Sequence, residues 1–352
     1  MLVVVLMLVG ESASSVASAS TGMQHEGRAG GMQPRSLPGV RAPDQIAVGP
    51  DGNLWFTNDD SGRIGRITPE GEITTFGDPS GKVRGSSGIA SGPDGNVWFT
   101  AYAYDNHDVA RHNLIGRITP TGAITTFNDP AGKVKAPDGI AVGPDGNLWF
   151  TNYDNDRIGR ITPSGQITTF ADPAGRISGP EGIAEGPDER LWFTSSDNGR
   201  IGWISTEGEI KTFRFPSVRE PWIITVDQDR YIWFTDCDYD YAQQVCRHNR
   251  IDRMTTTGQI ATFSDPGGNV REPDGIAVGA DGDLWFASYE NDRLGRITPT
   301  GKITTFPVRS RGCNGPLGIT MGPDGNMWFT CNHNNRIGRI TSAGEITSFP
   351  LR

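Results

Sequence analysis

Short apolar runs alternate with polar breaks rich in glycine and proline along most of the chain, and the whole alternation recurs. In one copy the runs are Gly139–Gly143, Leu148–Asn152, Arg157–Thr162 and Gln166–Phe170. Each carries β-branched or aromatic residues and is bounded by Gly, Pro, Asp or Asn, the pattern of short strands joined by tight turns. Pro144-Asp145-Gly146-Asn147 predicts a bulged hairpin, with Pro fixing φ and Gly supplying the left-handed position. Pro163-Ser164-Gly165 predicts the turn between the third and fourth runs.

Within the second run Leu148 and Phe150 point to one face and Trp149 to the other, so the sheet needs an apolar neighbour on both sides. The Trp-Phe pair recurs at Trp55, Trp98, Trp149, Trp192, Trp233, Trp285 and Trp328. Seven four-stranded meanders stacked in a ring satisfy all these faces at once. The fold class predicted is therefore all-β, a seven-bladed β-propeller of four-stranded antiparallel blades. The blades run over about 41–79, 84–130, 135–173, 178–215, 219–265, 271–308 and 314–352. WD40 signature pairs are missing, and the seventh unit finishes on its own strand. The expected closure is thus by packing of blade faces, with disulfides assisting.

Ahead of the repeats, Leu2–Val9 is an apolar run followed by Ala17-Ser18-Ala19, which predicts a secretory signal over 1–19, although no basic residue precedes the run. That run is too short to span a bilayer. Residues 20–37 lack periodicity and read as a flexible leader, leaving 38–352 as one propeller. Four cysteines fit an exported chain, and their places in the repeat favour Cys237–Cys246 and Cys313–Cys331 over free thiols. A net charge of −9 argues against nucleic-acid or anionic-membrane partners.

The residue after the repeated proline marks the start of each innermost strand: Asp44, Ser87, Asp138, Glu181, Trp222, Asp274 and Leu317. Four are carboxylates. Asp44, Asp138, Glu181 and Asp274 are candidate ligands for Mg²⁺ or Ca²⁺; alternatively each caps its own turn. Trp222, Glu220, Asp138 and Glu181 are candidate contacts for a small-molecule, peptide or glycan ligand at the channel mouth, on a protein expected to be monomeric. Blades 2 and 5 carry insertions between strands two and three, both ending Arg-His-Asn. They supply His112 and His248, with His107 a third histidine; the plainer reading is a loop-ending hydrogen-bond pattern. Asp236-Cys237-Asp238-Tyr239-Asp240 has calcium-loop spacing, but Tyr241 replaces the glycine and Arg247 the glutamate such a loop requires. No G-x-S-x-G, P-loop or H-E-x-x-H signature occurs.

The unit G-P-D-G-N-L-W-F-T…R-I-G-R-I-T-x-x-G-x-I-T-x-F resembles the virginiamycin B (streptogramin B) lyase family, over Arg41–Arg352. The resemblance implies a divalent-metal-assisted elimination that opens the ester of cyclic depsipeptide antibiotics, an antibiotic-resistance activity. It also implies chemistry at P-H-x-I and E-P-H-G-I motifs in the last two blades. Here those positions read Glu272-Pro273-Asp274-Gly275-Ile276 and Gly315-Pro316-Leu317-Gly318-Ile319, without Pro-His. If catalysis persists, the candidates are Glu272 and Asp274 as base or cation ligand and His112 or His248 as acid or base. Three readings stay open: a secreted lyase, a non-catalytic extracellular binding propeller, and a lactonase-like hydrolase.

Overall fold

The computed structural model describes residues 42–59, 61–104, 110–240, 242–243 and 245–351, and His107 lies outside them. Among the described residues seven four-stranded antiparallel sheets follow one another, each a meander in chain order, with a two-stranded hairpin inserted between the second and third strands of the fifth. Their first strands are Pro43–Val48, Ser86–Ser91, Pro137–Val142, Pro180–Glu185, Glu220–Val226, Pro273–Val278 and Pro316–Met321. Each first strand touches those of both neighbouring blades, so they form the inner ring.

The repeated letters correspond to repeated contacts. Trp149 stacks on Phe170 with centroids 5.4 Å apart, and the Arg160 guanidinium lies over both rings. The Trp149 indole donates to Asp145 at 3.0 Å, while Arg160 donates to the Thr206 carbonyl of the next blade at 3.0 Å. One strand-three arginine thus binds its own blade's aromatic stack and the following blade's turn. Blade 4 departs, with Trp203 in the arginine's place and Arg190 over its ring at 3.9 Å.

The first strand begins earlier than its apolar run suggests. In blade 3 Pro137 pairs with Asn152 and Ile140 with Phe150, so Asp138 and Gly139 together face Thr151 in a β-bulge. Thr151 fills the bulge. Its hydroxyl accepts from Gly139 N at 2.9 Å and donates to the Glu181 carbonyl of blade 4 at 2.6 Å. The W-F-T threonine is therefore a staple between blades. Thr57, Thr100, Thr194 and Thr330 donate in the same way, to Ser87, Asp138, Trp222 and Asp44.

Closure runs from blade 7 back to blade 1 by the same packing. Trp328 and Ile337 pack against Ile46, Leu54, Phe56 and Ile67, and Arg339 donates to the Pro69 carbonyl at 3.2 Å. The two disulfides take no part in this seam, which corrects the sequence-based expectation. Cys237–Cys246 ties the blade 5 insert to the end of that blade's second strand, and Cys313–Cys331 ties the loop leading into blade 7 to that blade's second strand. Among the described residues no helix is long and apolar enough to cross a membrane.

Candidate functional site at the first-strand end of the ring

Because the residue after the repeated proline lies in the bulge, its side chain leaves the regular in-out alternation of the strand. All seven such positions are at least partly buried: Asp274 is 1% exposed, Glu181 4%, Trp222 and Leu317 5%, Asp44 8% and Ser87 9%, with Asp138 half-buried. Ser87 Oγ donates to Asp138 Oδ1 at 2.5 Å, linking blades 2 and 3 side chain to side chain. Among the described residues no three His, Cys, Asp or Glu side chains are grouped so as to hold a metal ion.

The calcium-like spacing in blade 5 also disperses. Asp236 is buried against Arg250, Asp238 bonds His248 at 3.0 Å, and Asp240 pairs with Arg247 while accepting from Ala242 N and Gln243 N.

The insert of blade 5 folds as a hairpin, Tyr239–Asp240 against Val245–Cys246, over the mouth position of that blade. Trp222 packs against the Cys237–Cys246 disulfide and lies 6.4 Å from the Tyr239 ring. Its indole face is thus covered by the insert. Glu220 Oε2 accepts from Tyr239 N at 3.2 Å, holding the hairpin down. Burial, and then the charges of Glu272, Glu220 and Glu290, raise the Tyr239 phenol above its ordinary pKa. Blades 5 and 6 thereby bring Trp222, Tyr239, Glu220 and Glu272 into one neighbourhood.

Among the described residues the histidines on the inserts are exposed. His248 is 61% exposed and engaged with Asp238, and His112 is exposed at positive φ on the blade 2 insert. The recurring Arg-His-Asn owes its role to the asparagine. Asn113 Oδ1 accepts from Ala136 N at 2.8 Å and Asn249 Oδ1 from Glu272 N at 2.6 Å. Asp156, Asp292 and Asn335 do the same from blades without inserts, to Gly179, Gly315 and Ala42. Each bond pins the residue before the next blade's proline. That residue has positive φ, including +51° at Glu272, a conformation a glutamate rarely adopts.

Sequence reasoning passed over one pair. Tyr289 Oη and His333 Nε2 are 2.6 Å apart across blades 6 and 7, and the imidazole occupies the space that a side chain at Gly315 would need. The available signal was positional: both residues follow strand two of their blades, where Tyr153 likewise reaches Asp197 of the next blade at 2.9 Å.

The Virginiamycin B lyase family matches this chain over residues 25–245 and 174–352. The chain belongs to that family. Its structure is similar to that of selenomethionine-substituted virginiamycin B lyase from Staphylococcus aureus, with a TM-score of 0.71 and 34% identity, covering 85% of this chain and 94% of that one. A streptogramin B lyase structure aligns with a TM-score of 0.72 at 29% identity, over 90% and 96% of the two chains. A catalytically inactive histidine-to-alanine variant of the Staphylococcus aureus lyase with quinupristin aligns at 0.73 and 33% identity, over 88% and 97%. No curated relative matches the chain. Asp274 and Leu317, which follow the repeated proline in the last two blades, are both buried.

Proposed function

We propose that this chain is an exported ligand-binding propeller of the virginiamycin B lyase family that leaves the ester ring of streptogramin B intact. The reading rests on Asp274, 1% exposed, in Glu272-Pro273-Asp274-Gly275-Ile276, where the family resemblance implies a histidine. Abstracting a proton next to a carbonyl at neutral pH calls for a base of pKa near 7, which histidine supplies unperturbed and an aspartate, ordinarily near 3.9, reaches only if raised by about three units. Leu317, in the corresponding position of blade 7, offers no proton acceptor at all. The Staphylococcus aureus relative with a histidine replaced by alanine is described as catalytically inactive, which supports a need for histidine in the relatives that act as lyases.

Binding is assigned to the first-strand end of blades 5 and 6. Glu220, Glu272 and Tyr239 present acceptors and a phenol there, and Trp222 lies beneath the insert. A small-molecule or peptide ligand bearing donors fits this acidic surface better than an anionic one. Two disulfides support an oxidising, extracellular setting.

The test is incubation of purified protein with a streptogramin B and Mg²⁺, followed by mass spectrometry. The expected result is intact cyclic compound after hours. Rapid linearisation, abolished by Asp274→Asn, overturns the reading and returns the lyase assignment with Asp274 as base.

A further inference from the structure

In six blades strand three carries a glycine opposite the phenylalanine of W-F: Gly65, Gly116, Gly159, Gly202, Gly295 and Gly338. A Cβ at any of them would fall 2.0–2.3 Å from a ring atom of that phenylalanine. Blade 5 has Asp252 instead, paired with Phe234 in the register, and both are fully buried. A carboxyl group has been placed where the repeat tolerates no side chain.

Its surroundings define its chemistry. Asp236, also fully buried, sits on the adjoining strand. Its Oδ1 accepts from Arg219 N at 3.0 Å and Glu220 N at 2.8 Å, and its Oδ2 accepts from Arg250 Nη2 at 2.7 Å. Arg250 lies two residues before Asp252, on the same face of the same strand. Neither oxygen of Asp252 meets hydrogen-bond geometry with a donor. The charged groups acting on it are Asp236 from strand two and Arg250 from its own strand, while strand four offers the Thr262 hydroxyl opposite it. The blade 4 face packed against Phe234 is apolar, formed by Trp192, Ile201 and Val218. Two carboxyl groups therefore share one guanidinium in a site closed to water, and only one of them can be charged at low cost.

We propose that Asp252 and Asp236 form a proton-operated lock on blade 5, closed while the pair holds one proton and loosened when that proton leaves to solvent. The lock acts on two parts of the ligand-binding end. Asp236 holds the Arg219 and Glu220 amides at the start of the first strand, and the next residue, Cys237, begins the insert that covers Trp222. With the proton in place Arg250 is committed to Asp236. Without it, a second carboxylate competes for Arg250 and repels Asp236, and the hold on Glu220 weakens.

The pH window follows from the pair. Burial first, and the Asp236 charge second, push Asp252 up to about 7, and burial also raises Asp236. An unfolded aspartate titrates near 3.9, so between about 4 and 7 the folded chain binds more protons than the unfolded one. For this group stability is fully present below about 4 and is lost as pH rises through about 7.

Hydrogen exchange followed by mass spectrometry tests the lock, on peptides spanning 216–226 and 237–249, at pH 6 and pH 8 with correction for intrinsic rates. In the wild type both segments are expected to exchange about tenfold faster at pH 8, with blades 1 to 3 unchanged. Asp252→Asn, which imitates the protonated group, and Asp252→Gly, the residue of the other six blades, are each expected to remove the difference. Equal corrected rates at the two pH values in the wild type, or the same pH dependence in Asp252→Gly, overturns the proposal. If Asp252→Asn fails to fold, Asp252→Gly still decides.

Discussion

Thr330 Oγ1 in the last blade donates to the Asp44 carbonyl oxygen in the first at 2.6 Å. The bond matches those between blades 1 and 2, 2 and 3, 3 and 4, and 4 and 5, so the seam is held by the same device as the interior junctions. Thr330→Val keeps the shape and removes the donor, leaving a buried carbonyl and the Gly318 amide without their shared partner. The expected cost is about 1–2 kcal/mol in urea unfolding. At the junction of blades 6 and 7 the threonine is already absent, replaced by Ala287. Ala287→Thr is expected to raise the unfolding midpoint if the site accepts the added atoms as its six counterparts do.

Gly275 lies so close to the neighbouring blade that a Cβ there would stand 2.3 Å from the Leu317 carbonyl oxygen. Backbone, unlike the end of a side chain, cannot step aside cheaply, so Gly275→Ala must part the inner strands of blades 6 and 7. We expect a loss of roughly 1–3 kcal/mol by thermal or chemical denaturation, the range of an overpacked core. Gly318→Ala should behave alike against Asp44, where the distance is 2.6 Å.

How much of this was legible beforehand depends on what periodicity encodes. The seven blades follow from Trp-Phe and its flanking turns, because the in-out alternation of Leu148, Trp149 and Phe150 demands partners on both faces. The bulge at Asp138-Gly139 was hidden. An apolar run marks which residues bury, but not that two residues will oppose a single threonine. For that reason the mouth positions are legible in the sequence, while their burial is not. The Arg-His-Asn repeat drew attention to its histidine, the conspicuous chemical group, although the asparagine carries the contact. Asp252 was visible as a departure from R-I-G-R-I, yet its meaning rests on the phenylalanine it faces, and that pairing appears only in the register.

Opposing pH limbs follow from the carboxylates. Asp51, Asp94, Asp145 and Asp324 are disfavoured by burial, but indole, asparagine and backbone donors outweigh it and hold them below the ordinary value. The Arg176 side chain, outweighing burial, brings Asp172 down to about 2. A depressed carboxyl pKa contributes stability above about 4 that is lost as pH falls through the folded value. Asp252 contributes the reverse slope between about 4 and 7. The melting temperature should therefore peak near pH 4–5 and decline on both sides, with Asp172→Asn flattening the acid limb only and Asp252→Gly the neutral limb only. A melting curve series across pH 2–9 for the three proteins checks the assignment.

The insert of blade 5 covers Trp222 with the Cys237–Cys246 disulfide packed on its ring and the Tyr239 amide bonded to Glu220. Cutting the disulfide removes the covalent tie and leaves noncovalent contacts, the Tyr239 amide bond to Glu220 among them, each worth about 1 kcal/mol and too little to keep a short hairpin shut all the time. The double substitution Cys237→Ser, Cys246→Ser should then expose the indole while the remaining blades stay folded, since this disulfide spans no junction between them. The seven Trp residues of the W-F pairs are at most 1% exposed and Trp203 is 5% exposed. A gain in acrylamide quenching that disappears on adding Trp222→Phe therefore reports on this one ring. The far-ultraviolet spectrum and the unfolding slope should stay as in the wild type. Unchanged quenching would mean that packing alone holds the insert down, and the covered face of Trp222 would then be part of the core rather than of the ligand-binding end.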